Sequence, residues 1–254
     1  MSSLTRMLAV LTLFEKNVPT LDADTICARL GYSQPTGYRY IAELVRAGLI
    51  ARIGVGAYGL GPRIIELDYS MREADPVLGA AKPVMAELVL VTGGDATLAA
   101  CYGDHFVTTH HHAGPEGMSL SYGRGRPMPL LRGALSKCLL AWLPRAQQQR
   151  IYQRGIADLD PSPDDLAERR ASWTAIRKQG FAVSIGELDP GVVAVAAPVF
   201  DAEGAILAAV AAVLRKQRYD LVNKTQLNDM VIDAGRRIGR AVAAPSLLSA
   251  SAEP

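Results

Sequence analysis

Between Asp22 and Leu60 the chain places two short helical segments, a Gly-containing break and a tight hairpin in close succession, and few folds accommodate that order. Asp22 to Leu30 carries Ala23, Ile26, Cys27 and Leu30 at helical spacing, and Gly31 follows as a C-terminal stop. Ser33 can cap a further helix with Pro35 and Thr36 in its first turn, running to about Ala47 before Gly48 ends it. Its apolar positions Ile41, Leu44 and Val45 face inward, which leaves Gln34, Tyr38 and Arg39 on the leading or opposite face. Leu49–Ile53 and Ala57–Leu60 read as two strands around a turn at Gly54–Gly56. Upstream, Leu4 to Lys16 has one apolar face through Leu4, Met7, Leu8, Leu11 and Phe14. Helix, helix, turn, helix, hairpin is a winged helix-turn-helix pattern.

Beyond it, Pro62 opens an amphipathic segment with Ile64, Ile65, Leu67, Tyr69 and Met71, and Asp75-Pro76 breaks it, because a residue before proline disfavours helix. The expected division is therefore a DNA-binding domain over 1–61, a linker helix over 62–75, a larger domain over 76–244 and a disordered tail over 245–254. The larger domain reads as helices at Val77–Val91, Gly133–Leu143, Arg145–Gln153, Pro163–Gln179 and Leu221–Ala243. Strands are expected at Ala96–Tyr102, His105–His111, Met118–Ser121, Val192–Phe200 and Ile206–Leu214, the last two joined by a hairpin-like turn at Asp201–Gly204. The fold class is a two-domain α+β protein, and no internal repeat interrupts it.

Charge supports the division. The 254 residues carry a formal net charge of only +2, which by itself argues against a nucleic-acid partner. Resolved by segment, Ala28 to Arg63 holds five arginines (Arg29, Arg39, Arg46, Arg52, Arg63) against the single acid Glu43, a local balance of 5 − 1 = +4. A modest basic stripe is averaged away by a larger domain that needs none. The longest apolar run, Ala205 to Leu214, is about half of what a membrane-spanning helix requires. Glu15 and Lys16 follow the early apolar stretch where a signal peptide would have a small-residue cleavage site. Three widely spaced cysteines, Cys27, Cys101 and Cys138, fit reduced thiols, so a cytoplasmic chain without membrane contact is expected.

The basic helix carries the sharpest chemistry. The second helix of such a pair enters the major groove with its N-terminal residues at base edges. Gln34, Thr36, Tyr38 and Arg39 lie on that portion; Gln reads adenine and Arg reads guanine, while Ser33 and the helix-start N–H groups suit a phosphate. Arg52 and the Gly54–Gly59 tip would touch the flanking backbone. Gly54-Val-Gly56-Ala-Tyr-Gly59 matches the dinucleotide fingerprint letter for letter but lacks the strand before and the helix opening on it, so the glycines are read as a wing. His105 and His110–His112 are all four histidines; His110 and His112 share a strand face with His111 opposite, and whether they hold a metal stays open. No nucleophile elbow is present, and Asp164-Asp165 and Glu187/Asp189 read as solvated or capping carboxylates. A helix start at Gly133-Ala134-Leu135, preceded by Arg132, could hold a carboxylate ligand.

Several blocks in order make the chain resemble the IclR family of bacterial transcription regulators from about Leu4 to Val242. They are Leu30-Gly31-Tyr-Ser33-Gln-Pro-Thr36-Gly-Tyr38-Arg39-Tyr, Tyr58-Gly-Leu60-Gly61-Pro62-Arg63, Pro129-Leu130 with Ala134-Leu-Ser-Lys137-Cys-Leu139, and Glu187-Leu-Asp-Pro190-Gly191-Val192 with Ala196-Ala197-Pro198-Val199-Phe200. The resemblance implies a winged helix-turn-helix, a linker helix and a GAF-like α/β domain that binds a small organic effector, in homodimers or homotetramers. The chain departs from the family where Leu131-Arg132-Gly133 replaces a common His-Ala-Thr, where Ala194 stands for a frequent Cys, where Ala211 begins a strand end that often contains Ser, and where Ser184 replaces an acid. These changes remove polar contacts and add an arginine, so the expected effector is a bulkier, less polar organic acid, aromatic acids included, with its charge facing Arg132 and with Gly133, Ala134, Leu135, Ser184, Ala194 and Ala211 around it. The expected function is a ligand-responsive regulator, in repressor form, of a catabolic operon with a pseudo-palindromic double-stranded DNA operator, no cofactor and no catalytic activity. The alternatives are a DNA-tethered enzyme acting on a small acid and a DNA-binding module whose C-terminal half only oligomerises.

Overall fold

The computed structural model describes residues 2–15, 17–156 and 166–244. The chain splits between Asp75 and Pro76 into two compact units. Asp164-Asp165, the start of the helix expected from Pro163, and the tail from residue 245 lie outside the described residues.

In the first unit, α1 (Ser3–Leu8) is capped by the Ser2 hydroxyl and passes into a 3-10 turn over Ala9–Leu13, so the expected long first helix is shorter and tightens at its end. A two-residue strand, β1 (Leu21–Asp22), precedes α2 (Ala23–Leu30). The Asp22 carboxylate caps α2 by accepting from the Thr25 N–H at 2.7 Å, which holds its pKa below the ordinary carboxylate value. Gly31, at φ 65°, ends α2 in the left-handed conformation. Next come α3 (Gln34–Arg46), β2 (Ile50–Arg52) and β3 (Ala57–Leu60), and the strands form an antiparallel sheet in the order β1-β3-β2. Val10, Ile26, Ile41, Leu44 and Ile50 are buried together as its core. The helices cross closely: a Cβ on Gly37 would lie 2.2 Å from the Cys27 Sγ. The helix α4 (Arg63–Glu73) buries none of its residues and leaves Ile65, Tyr69 and Met71 exposed.

The second unit is a five-stranded antiparallel sheet with helices on both faces. Its strands are β4 (Asp95–Tyr102), β5 (His105–His112), β6 (Ala182–Ile185), β7 (Val192–Phe200) and β8 (Ile206–Arg215), in the order β5-β4-β8-β7-β6. One core lies between the sheet and the helices α5 (Pro76–Thr92) and α10 (Lys224–Ala243), through Met85, Leu88, Leu98, Val195, Val210 and Val231. α10 approaches β7 closely because Gly235 sits where a Cβ would be 2.4 Å from the Pro198 carbonyl oxygen. The opposite face carries α6 (Ala134–Trp142), α7 (Arg145–Gly155) and α8 (Leu166–Gln179) over Leu135, Leu139, Ala196, Ala209, Ala211 and Trp173.

Two expectations are corrected here. Met118–Ser121 forms no strand: the Met118 N–H donates to the Asp95 carboxylate and the Ser121 N–H to that of Asp189, so side chains take the bonds a ladder would use. The last helix does not start at Leu221; a short α9 (Lys216–Leu221) ends there, and Asn223 caps α10 through its side chain. The edge strand β6 and the short β1 were not anticipated from the sequence.

Candidate nucleic-acid interface and ligand cavity

On the first unit, Gln34, Tyr38 and Arg39 are exposed along α3, and Thr36 is half-buried. Ser33 occupies the N-cap position, but its hydroxyl donates to Thr36 Oγ1 at 3.0 Å instead of capping the backbone, so the helix-start N–H groups keep no side-chain acceptor there. An acid that the sequence reading passed over organises this face. Asp24 on α2 accepts from Gln34 Nε2 at 3.1 Å and from the Tyr38 hydroxyl at 3.4 Å, and its charge pushes the Tyr38 phenol above its ordinary pKa. The basic stripe is also narrower than the count of five. Arg46 pairs with Glu43 at 3.0 Å and Arg63 with Glu66 at 2.7 Å, whereas Arg39 and Arg52 carry no ion pair among the described residues. The guanidinium of Arg39 lies 5.6 Å from the Tyr40 ring and that of Arg52 5.7 Å from the Tyr58 ring, contacts that orient both cations without neutralising them. The hairpin between β2 and β3 turns through Gly54 and Gly56, at φ 70° and 73°, with Val55 fully exposed at the tip. That is a projecting wing, not a loop opening a helix.

The second unit holds a partly open cavity between the sheet, the start of α6 and the irregular segment after β5. Its floor comes from four adjacent strands: Thr97 on β4, Val213 on β8, Ala194 on β7 and Ser184 on β6. The cross-strand register sets this, since Val213 pairs with Ala194 and Ala194 with Ser184. Leu120, Tyr122 and Met128 cover it, and Ala134 and Leu135 form the helix wall. The lining is predominantly apolar with a few polar groups, the usual make-up of a small-molecule site.

At one end Glu187 and Asp189 line the cavity. The Glu187 carboxylate accepts from the Gly133 N–H at 2.9 Å and from Lys137 Nζ, so it occupies the N-terminus of α6. Gly133 takes φ 86° there, and a Cβ on it would lie 2.6 Å from Leu188. Asp189 accepts from the Ser121 N–H at 3.2 Å. At the other end Thr97 is 3 % exposed, and its hydroxyl has no hydrogen-bond partner among the described residues. Two residues before it, Asp95 is buried and accepts from His111 Nε2 at 2.7 Å, from the Gly114 N–H at 2.9 Å and from the Met118 N–H at 3.3 Å. Asp95 thereby ties the segment after β5 to the sheet.

Of the residues expected around a ligand, Ala134, Leu135, Ser184 and Ala194 line this cavity, and Gly133 borders it through Glu187. Arg132 does not line it. Its side chain is exposed and its guanidinium donates to the Glu187 carbonyl, because the chain leaves Gly133 with Arg132 on the outer side. Ala211 is also absent from the lining, being buried in the core beneath α6. Thr97, which lines the cavity, and Asp95 and Lys137, which bond to segments beside it, were not singled out from the sequence; the period-2 pattern that puts Asp95 and Thr97 on one face of β4 is the signal that could have found two of them.

The remaining candidates bind elsewhere. His111 is engaged with Asp95, and His105 Nε2 lies 3.1 Å from Arg154. Among the described residues no group of three or more His, Cys, Asp or Glu is arranged to hold a metal. No disulfide joins Cys27, Cys101 and Cys138, and burial pushes the Cys138 thiol far above its ordinary pKa. Among the described residues no helix is long and apolar enough to cross a membrane.

Comparison with known proteins accounts for both units. Residues 3–54 match the IclR helix-turn-helix domain, and residues 72–240 match the C-terminal domain of the bacterial transcriptional regulator IclR. The HTH-type transcriptional regulator XynR of Escherichia coli (strain K12) is 28% identical over 249 residues, which cover 96% of this chain and 98% of XynR. An IclR transcriptional regulator from Silicibacter sp. TM1040 has the same fold, with TM-score 0.83 and 22% identity over 96% of this chain and 97% of that one. An IclR homolog from Microbacterium hydrocarbonoxydans, solved in complex with 4-hydroxybenzoate, aligns with TM-score 0.77 and 20% identity over 96% of this chain and all of that one (100%). With its winged helix-turn-helix and its cavity-bearing second unit, the chain belongs to the IclR family of bacterial transcription regulators.

Proposed function

We propose that this DNA-binding regulator is controlled by a small organic acid, aromatic in preference to aliphatic, that enters the cavity of the second unit. The observation that carries the reading is a mostly apolar cavity one end of which is a helix N-terminus already holding a carboxylate, that of Glu187. An effector carboxylate has the same chemistry and would compete for the Gly133 N–H and for Lys137 Nζ. Arg132, bound to the Glu187 carbonyl, adds positive charge behind that end without being a contact. The apolar walls at Leu120, Met128 and Leu135 favour a ring over a two- or three-carbon acid, and the 4-hydroxybenzoate bound by the Microbacterium homolog points to the same class. The cavity carboxylates Glu187 and Asp189 are engaged by N–H donors, which favours ligand holding over general-base chemistry.

On DNA, Ser33, Gln34, Thr36, Tyr38 and Arg39 meet one half-site and Arg52 its flanking phosphates. The exposed apolar residues of α1 and α4 (Leu4, Leu8, Ile65, Tyr69, Met71) support a homodimer, with a tetramer formed through further contacts of the second unit. A two-fold dimer requires a pseudo-palindromic operator. The reading is completed by repression of a catabolic operon in the cytoplasm, relieved when the acid binds. Calorimetric titration of benzoate, 4-hydroxybenzoate and aliphatic acids into the full chain tests it. One-site binding of an aromatic acid is the expected result; heat from none of them would remove the acid-effector reading.

A further inference from the structure

The two acids at the start of α2 serve different helices. Asp22 turns its carboxylate onto α2 itself, accepting from the Thr25 N–H at 2.7 Å and from the Thr25 hydroxyl at 2.8 Å. Asp24 reaches instead to α3, where it accepts from Gln34 Nε2 at 3.1 Å and, at a longer 3.4 Å, from the Tyr38 hydroxyl. Gln34 and Tyr38 stand one helical turn apart on the exposed face of α3, so a single carboxylate engages both. Asp24 is itself exposed on that face. An acid on a surface that must approach a polyanion lowers affinity for every DNA sequence alike.

What that acid does to its two partners follows from which groups can donate. An ionised carboxylate only accepts, so the Gln34 amide must turn its NH2 group, and not Oε1, toward Asp24. One N–H is then held. The other N–H and Oε1 remain, the donor and acceptor that N7 and the N6 amino group of adenine complement. A free glutamine amide can reverse and offer the pair in the opposite order, whereas a held one offers a single order and loses less freedom on binding. Tyr38 has one hydroxyl proton, and Asp24 draws it inward and pushes the phenol above its ordinary pKa. The phenol oxygen is left to accept, which suits the exocyclic amino group of adenine or cytosine and not guanine O6, guanine N7 or a phosphate. Arg39 stays outside this arrangement, its guanidinium 5.6 Å from the Tyr40 ring.

We infer that Asp24 is a specificity-determining residue of the DNA interface, holding Gln34 and Tyr38 so that they read a base with an exocyclic amino group, adenine above all, while its charge weakens binding to DNA that lacks that base. Asp24 is a positioning residue that acts through Gln34; the specificity of α3 is thereby set in part from α2. The inference rests on the reading of α3 as the helix that meets the half-site and deepens it.

In vitro selection from a randomised duplex library tests this, using the full chain as wild type, Asp24→Ala, Gln34→Ala and the double variant. Fluorescence anisotropy then measures each protein on the selected duplex and on a random one at low salt. Wild type should enrich an adenine in each half-site that Gln34→Ala no longer enriches. Asp24→Ala should weaken that enrichment and lower the ratio of selected to random affinity about tenfold. The same variant should bind random duplex about threefold more tightly, because one repelling charge is gone. In the Gln34→Ala background, Asp24→Ala should leave the base preference unchanged and still tighten random binding. An acid that only stabilised the start of α2 would, on removal, weaken both duplexes together, and that result would overturn the inference. So would a base preference that Asp24→Ala or Gln34→Ala leaves intact, or an effect of Asp24→Ala on preference that persists without Gln34. Each of these leaves α3 as the reading helix, provided that Arg39→Ala still alters the selected sequence. Enrichment of no sequence by wild type would remove both.

Discussion

The crossing of α2 and α3 rests on the absence of one methyl group, and restoring it gives a sharp perturbation. A Cβ at position 37 would lie 2.2 Å from the Cys27 Sγ, well inside the 3.4–4 Å of ordinary contact, and 3.6 Å from the Cys27 Cβ. Cys27 is 4 % exposed, so the sulfur has little room to move. Overpacking of this kind costs about 1–3 kcal/mol, and alanine in place of glycine inside a helix returns about 1 kcal/mol. At 2.2 Å from a buried sulfur the upper part of the overpacking range applies, about 2–3 kcal/mol, so Gly37→Ala should destabilise the first unit by roughly 1–2 kcal/mol. In a Cys27→Ala background the sulfur is gone and the new methyl meets only the Cβ at ordinary distance, so the same substitution should be neutral or stabilising by up to about 1 kcal/mol. The coupling between the two positions is then of order 2 kcal/mol. Hydrogen exchange over residues 23–46, followed by mass spectrometry on the full chain, reads this directly. Fluorescence of Trp142 and Trp173, the only tryptophans and both beyond Pro76, serves as a control that should not change. Equal protection in Gly37→Ala and wild type, or an equal cost in both Cys27 backgrounds, would refute the account of how the reading helix is set.

Other substitutions address the two binding surfaces. Arg39→Ala should lose about 1–3 kcal/mol against the operator with little change on random DNA, while Arg52→Ala should weaken both alike and lower the salt dependence by about one unit of slope; a fluorescence-anisotropy series in salt separates them. Glu187→Gln removes the internal competitor for the α6 N-terminus and should tighten aromatic-acid binding about tenfold, whereas weaker binding would mean that Glu187 holds the helix start in place for the ligand. Asp22 has a pKa depressed by its bond to the Thr25 N–H, so it stabilises the folded state above the ordinary carboxylate pKa and loses that contribution as pH falls through its own lower value. The melting difference between wild type and Asp22→Ala should accordingly be present at neutral pH and vanish in strong acid; a gap that widens on acidification would contradict the sign.

The reading unit was legible because its signals are local. Asp22, Gly31 and Gly48 punctuate the helices within a few residues of where they act, and Gly54 and Gly56 mark the wing. Elements defined by distant partners were not. β6 is a four-residue edge strand whose identity depends on pairing with β7, and Met118–Ser121 has a strand-like alternation but spends its N–H groups on Asp95 and Asp189. The cavity shows the same split. Ala134, Leu135, Ser184 and Ala194 followed from family motifs, but a motif does not say which way an inserted side chain turns, and Arg132 turns outward. Thr97 carries no motif; it matters because the strand order β4-β8-β7-β6 brings it to the same floor as Ser184. Charge misled in the other direction, since two of the five local arginines are spent on Glu43 and Glu66.

An acid bound in the second unit is expected to change how the first unit holds DNA. DNase footprinting of the full chain on the DNA flanking its own gene, with and without 4-hydroxybenzoate, reads both events at once. Two half-sites about one helical turn apart should be protected, at a protein concentration that the acid raises severalfold. Protection that is absent, or that is identical with and without every aromatic acid that binds the cavity, would contradict it.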